Sequence, residues 1–287
     1  AGWGVVTRFL GDSGFEFDAI EGSQTRATLA ALRCSGLANV SIVRADFNEV
    51  TLPNEGYDVV LFIGVLEYAR RFSPQFENSV EAVVHMLRRA SRALTPGGVI
   101  VVAIENRMGA KYLFGGAEDH LSRPWAGIAG YPRLGSETGI CTFDARSWST
   151  IVSSAGLQHS FFYPLPDYKM PAAVISQKGV NLDGANSVTW RYPSVHRANN
   201  SITASPMRVQ TIALEDAGML PETADSFGLV LTHESTDPKQ FLPFGWIIFD
   251  DAESGSKGLK YLDPENGASW LVEPARRVFT VSNSETV

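Results

Sequence analysis

The sequence predicts an α/β fold: an open, mostly parallel sheet with helices on both faces, followed by a smaller mixed α+β or β region. Three observations carry this reading. From Val5 to about Ser176, short apolar runs alternate with helical stretches at the spacing of strand–helix–strand units. Two of the runs, Tyr57–Ile63 and Val99–Ile104, are almost continuously apolar, as strands buried on both faces of a parallel sheet are. Beyond Gln177 the composition shifts toward Asn, Ser and Gly and the rhythm is lost.

Each element has a local reason. Phe15 to Ile20 reads as a strand ending at Glu21, and Gln24 to Ser35 as a helix closed by Gly36. Val40 to Val43 is a second strand, ending at Asp46. Val80 to Leu94 places Val83, Val84, Leu87, Ala90 and Leu94 on one side of a helix, and Pro96-Gly97-Gly98 stops it. Glu105 to Cys141 is long, aperiodic and rich in Gly, Arg and aromatic residues, and a loop of that length is usually functional. Thr142 is a good N-cap for a helix through Trp148, Ile151, Val152 and Ala155, ended by Gly156. Ser160–Tyr163 and Ala172–Ile175 read as a hairpin that supplies one antiparallel strand at the end of the sheet. Lys178 to Ser205 looks like a linker. Phe227–Thr232, Gly245–Phe249, Lys260–Leu262 and Ser269–Val272 are strand candidates in the region after it.

Composition narrows the function. The chain has 287 residues, with 24 Lys+Arg against 31 Asp+Glu and a net charge of −7. That acidic balance offers no footprint for a nucleic-acid backbone. No apolar run approaches the roughly 18 residues that span a bilayer. Two cysteines, Cys34 and Cys141, give neither a metal-ligand spacing nor a disulfide framework, so a cytoplasmic protein is expected. The opening Ala1-Gly2-Trp3-Gly4 reads as the inside of a motif, and the start is expected to have been cut away.

The order of these signals resembles the class I S-adenosylmethionine-dependent methyltransferases, with their Rossmann-like sheet. Ala1-Gly2-Trp3-Gly4 matches the tail of that family's glycine-rich turn, with Val5 to Leu10 as the first helix. The family's first strand and leading acid-plus-glycine are absent. The resemblance implies a domain over residues 1–177, with 178–287 holding a linker and a small region of unknown role. It implies S-adenosylmethionine as cofactor, held by Gly2 and Gly4 in the turn and by Glu21, followed by Gly22, at the ribose. Asp46 would take the adenine amino group, with Phe47 beside the ring, and Ile63, Gly64 and Leu66 would line the methionine end. A carboxylate suits the ribose because it accepts from two neighbouring hydroxyls. Either acid alone could equally be a solvated strand end or a turn residue. An acid after the second strand would also suit the ribose of NAD.

A narrower resemblance lies in Glu105–Tyr112, Glu118-Asp119-His120, Gly130-Tyr131-Pro132 and Phe162–Lys169. These stretches are similar to methyltransferases associated with bacterial surface-polysaccharide synthesis. That implies a saccharide or glycan-lipid acceptor and fused or associated glycosyltransferase or kinase modules; a non-catalytic scaffold is the alternative. Methyl transfer to a hydroxyl needs a base within hydrogen-bond reach. His120, flanked by Glu118 and Asp119, is the leading candidate, and an exposed loop histidine is the plain alternative. Adjacent residues seldom point at one centre, so no metal is expected at Glu118-Asp119-His120. Glu67 could serve the acceptor or simply face a helix N-terminus. Asn106, Arg107, Lys111, Glu118, Asp119 and Tyr168 are the expected substrate contacts; Arg107, Lys111, Arg123 and Arg133 could engage an anionic acceptor or simply form a solvated basic rim, and Tyr168 lies in a turn that could close over the site.

Overall fold

The computed structural model describes residues 1–131, 139–181, 213–214, 216–251, 257–262 and 269–272. The chain forms two compact units, Ala1–Pro53 and Asn54–Val287.

The first unit holds α1 (Val5–Asp12), β1 (Phe17–Glu21), α2 (Gln24–Arg33) and β2 (Val40–Arg44). β1 and β2 form a two-stranded parallel sheet, paired from Phe17 with Val40 to Glu21 with Arg44. Ser23 caps α2 by accepting from the Arg26 N–H at 3.4 Å. Gly4 has φ 76°, and a Cβ there would come within 2.8 Å of the Ala30 Cα. The turn before α1 therefore lies directly on α2, where the Ala30 side chain is fully buried.

The second unit holds β3 (Tyr57–Ile63), α3 (Ala69–Phe72), α4 (Ser79–Ala93), β4 (Leu94–Glu105), α5 (Ala110–Leu113), α6 (Ala145–Ser154), β5 (Gln158–Leu165), β6 (Ala173–Ser176), α7 (Leu220–Thr223) and β7 (Ser226–Thr232). β8 (Trp246–Asp251), β9 (Lys257–Leu262) and β10 (Ser269–Val272) follow. Asn78 caps α4 by accepting from the Glu81 N–H at 2.9 Å, while its own amide donates to the Glu81 carboxylate at 3.0 Å. The cap of α6 is Asp144, which accepts from the Ser147 N–H at 2.8 Å. The expected cap, Thr142, turns its hydroxyl to Tyr131 instead, at 2.9 Å.

The fold class is the expected Rossmann-like α/β arrangement, but its sheet is mixed. Eight strands run in the order β10-β9-β8-β6-β5-β7-β4-β3. β3 and β4 are parallel, and every other neighbouring pair is antiparallel. β7 enters between β4 and β5, antiparallel to both, so β5 runs in the same sense as β4. The β5–β6 hairpin is therefore interior, where the sequence reading made it the end of the sheet. A strand beyond Gln177, assigned from sequence to the smaller region, lies at the middle of the sheet. Its burial explains this: all seven residues of β7 are buried, so SFGLVLT has to be covered on both faces. Gly228 lies opposite Phe162, and a Cβ there would sit 2.0 Å from that ring. On one face Val99, Val230, Leu242 and Phe244 form a cluster against Phe162 and Val174. Val83, Leu87 and Ala90 of α4 and Trp148 and Val152 of α6 are also fully buried. Most of the expected linker, 182–205, and Pro132 and Arg133 lie outside the described residues.

Candidate functional site

Two sets of expected residues are placed separately, one in each unit. In the first unit Glu21 ends β1, and Asp46 follows β2 by two residues. Because the strands are parallel, both acids lie at the carboxyl edge, where open α/β sheets hold their ligands. Glu21 is buried; its carboxylate accepts from the Gly2 N–H at 2.7 Å and the Ser23 N–H at 2.9 Å, and faces Arg26 at 3.2 Å. Burial opposes its ionisation, but the Ser23 and Gly2 N–H groups and Arg26 outweigh that and hold the carboxyl below its ordinary range. The acid thus ties the glycine turn to the strand end, with its Oε1 shared between the Ser23 N–H and Arg26 and its Oε2 accepting from Gly2. One Asp46 oxygen accepts both from the Asn48 N–H at 2.8 Å and from its side-chain amide at 3.1 Å. Gly2 has φ 55°, and a Cβ there would meet nothing within 4 Å. Gly22 and Phe47 follow the two strand ends.

In the second unit the ends of β3 and β4 meet the Glu105–Cys141 loop. Gly64, φ 62°, turns the chain out of β3, and the Leu66–Tyr68 helical turn that follows carries Glu67. Glu67 is 2% exposed and Glu105, the last residue of β4, is 1% exposed. His120 donates or accepts at Nδ1 with the Tyr68 hydroxyl at 3.2 Å, and the two rings meet edge-on with centroids 5.4 Å apart. Its Nε2 lies 3.9 Å from Glu105 Oε2, beyond hydrogen-bond reach. Glu118 is buried and acts as a brace: it accepts from the His120 and Leu121 N–H groups at 2.9 and 2.6 Å and from the Tyr131 hydroxyl at 2.7 Å.

Lys169, in the β5–β6 turn, pairs with Glu105 Oε1 and reaches Asp119 at 3.4 Å. Asp119 also pairs with Lys111 at 3.1 Å, and the Lys111 side chain is almost fully buried. The Tyr168 hydroxyl donates to Glu105 Oε1 at 3.3 Å, and it stands 2.6 Å from where a Gly64 Cβ would be. Glycine at 64 is thus required by its φ and by the tyrosine laid over it.

The electrostatics divide the two glutamates. Burial, and then the Glu105 charge, push Glu67 up to about 8. Burial also opposes ionisation of Glu105, but His120 and Lys169 outweigh it and hold that carboxyl down at about 2. Burial disfavours the His120 cation, yet Glu105, Glu118 and Glu67 raise its pKa. Near neutral pH the group is therefore a protonated Glu67, an ionised Glu105 and a readily protonated imidazole.

The structure brings His120, Glu67, Glu118, Asp119, Lys111 and Tyr168 into one neighbourhood. Two expected substrate contacts already have protein partners. Asn106 is fully buried; its amide donates to the Glu222 and Ala224 carbonyls at 2.8 Å, and its Oδ1 accepts from the Met108 N–H, so it anchors α7 to β4. Arg107 is turned away to Asp144, the α6 cap. Lys111 is spent on Asp119 beneath the surface rather than on a rim. Leu66 is 1% exposed, which leaves its backbone for any ligand, whereas Ile63 is exposed. Glu105, the hub of the network, had no assigned role from sequence. Its signal was a lone carboxylate closing an otherwise apolar strand.

Residues 1–102 match a family model described as a methyltransferase domain. No curated protein matches the chain. Among solved structures, it is similar to the putative methyltransferase complexed with the Trm112 activator in Haloferax volcanii, at 13% identity and TM-score 0.47 over 80% of this chain and 78% of that one. A possible histamine N-methyltransferase from Thermotoga maritima aligns at 14% identity and TM-score 0.42, over 80% and 79%. The CcbJ methyltransferase from Streptomyces caelestis aligns at 15% identity and TM-score 0.47, over 81% and 85%. The matched stretch, residues 1–102, is similar to a methyltransferase domain, and the α/β arrangement is Rossmann-like. S-adenosylmethionine is the cofactor that the match implies. Among the described residues no helix is long and apolar enough to cross a membrane.

Proposed function

We propose that the chain transfers a methyl group to an oxygen of a saccharide or glycan-linked acceptor. The observation that supports this is convergence. The stretches that resemble polysaccharide-associated methyltransferases are spread over 65 residues of sequence, yet Glu105, Lys111, Glu118, Asp119, His120, Tyr131, Tyr168 and Lys169 fall into one chain of hydrogen bonds and ion pairs. A scaffold has no need to bury that many charges, each costly unless paired.

When bound, the cofactor supplies a methyl on a positively charged sulfur, already primed to leave. Glu21 and Asp46 hold its ribose and adenine. Glu67, Glu105 and His120 would activate the acceptor, whose hydroxyl proton must be taken up when the methyl is transferred to its oxygen. His120 in its neutral form can take it at Nε2, braced through Tyr68 at Nδ1 and Glu118 at its backbone. Lys169 and Tyr168 hold Glu105 in place for that role.

Two measurements test the reading. Asp46→Ala should abolish S-adenosylmethionine binding in isothermal titration, and unchanged affinity would count against the assigned adenine contact. With a lipid-linked or free glycan pool and labelled cofactor, the chain should methylate an acceptor and His120→Gln should slow that by on the order of 10²–10⁴-fold. Cofactor binding with no labelled glycan would favour the scaffold.

A further inference from the structure

We infer that Glu67, Glu105 and His120 form a binding site for one divalent first-row metal ion. One ligand atom from each lies within 4.8 Å of the other two. The three come from different elements: the turn after β3, the end of β4 and the loop beyond α5.

The independent observation is what these atoms lack. Glu67 Oε2, Glu105 Oε2 and His120 Nε2 are all buried, and none makes a hydrogen bond. A buried polar atom left without a partner is destabilising. Three such atoms in one buried cluster, two of them on carboxylates, are a donor set that a cation can satisfy in place of protons. Two of the ligands are already held by their other atom. Glu105 Oε1 is fixed by Lys169 and Tyr168, and His120 Nδ1 by the Tyr68 hydroxyl at 3.2 Å. The His120 backbone is fixed by Glu118. Such outer partners orient the ligands of protein metal sites and set the tautomer of a ligating imidazole.

Two carboxylate oxygens and one imidazole nitrogen suit Mn²⁺, Fe²⁺, Co²⁺ or Zn²⁺ better than the all-oxygen shell that Mg²⁺ and Ca²⁺ prefer. With metal–ligand bonds of about 2.0–2.2 Å, the ligand atoms, now within 4.8 Å of one another and 3.9 Å apart at His120 Nε2 and Glu105 Oε2, would draw together around the ion. Three protein ligands leave positions open for an acceptor oxygen. The inference rests on the reading of this cluster as the acceptor-activating group and refines it. A hydroxyl bound to the cation is more acidic; with His120 Nε2 taken as a ligand rather than as the base, the proton it loses on methyl transfer would pass to solvent water.

The test uses the full chain, stripped with a chelator and returned to chelator-free buffer. Co²⁺ is titrated in, with visible absorption and calorimetry as readouts. One ion per chain with visible absorption bands is expected, along with a loss of affinity of tenfold or more in Glu67→Gln and in His120→Gln. Asp12→Asn, in the first unit, should leave binding unchanged. Far-UV circular dichroism checks that each variant is folded. No saturable site in the folded wild type, or full affinity in both cluster variants, overturns the metal site. Methyl transfer at an equal rate in stripped and loaded protein would sink the activating role while leaving the acceptor reading intact. Tight Co²⁺ binding without any glycan methylation would do the reverse.

Discussion

At Glu67 a carboxyl is 2% exposed with no hydrogen bond at Oε2, and its pKa stands near 8. In the unfolded chain the same group loses its proton near the ordinary 4.5. Its folded pKa is the higher one, so the stability linked to it is present below about 4.5 and is lost as pH rises toward 8. Glu105 works in the opposite sense. Held down at about 2, it contributes stability above 4.5 that is lost as pH falls toward 2. Calorimetry of chelated protein should therefore show a melting temperature that declines from pH 5 to pH 8, and Glu67→Gln should flatten that decline. An equally steep decline in the variant would place its cause elsewhere. Sequence alone singled out Glu67 and His120 but passed over Glu105, because a charge at the end of an apolar strand has the same appearance whether it meets solvent or a buried partner. The setting of Asn106 and Arg107 is hidden in the sequence for a related reason. Their types suit an acceptor, but the partners that consume them, Glu222, Ala224 and Asp144, are contributed from 37 to 118 residues away.

The secondary elements were far more legible. Tyr57–Ile63 and Ser269–Val272 stand where the apolar pattern puts them, and α4 is shifted by a single residue. Local rules decide such segments: period, caps, and Pro or Gly stops. Caps are decided by competition, and at α6 the Asp144 carboxylate wins over Thr142. Asp144→Ala should cost about 1–2 kcal/mol, since it removes the cap and also strands Arg107; chemical denaturation reads this directly. In β7 the glycine at 228 is equally diagnostic. Gly228→Val would drive a side chain into the Phe162 ring, and overpacking of that kind costs about 1–3 kcal/mol. The variant should melt several degrees lower, and Phe162→Leu should recover part of the loss if the ring is the cause.

The arrangement of the whole molecule was the least readable, because strand order is a long-range property. The compositional change at Gln177 is real, yet the sheet crosses it: Ile100–Glu105 pair with Leu231–Ser226. A chain ending at Gln177 should therefore fail to give a cooperative melt for the second unit, since β4 and β5 lose the strand that joins them. A sharp transition in such a fragment would show that β5 can close on β4 directly. The placement of β7 also bears on how the protein is made. From Glu105 to Ser226 is 226 − 105 = 121 residues. At roughly 5–20 residues per second, a ribosome takes on the order of ten seconds to deliver β7 after β4 has emerged. Through that interval the nascent chain carries an apolar strand with one edge bare, the kind of edge that pairs with the wrong neighbour. Yield of the folded protein should accordingly depend on chaperones that hold emerging chains, and on the pace of translation between those two strands.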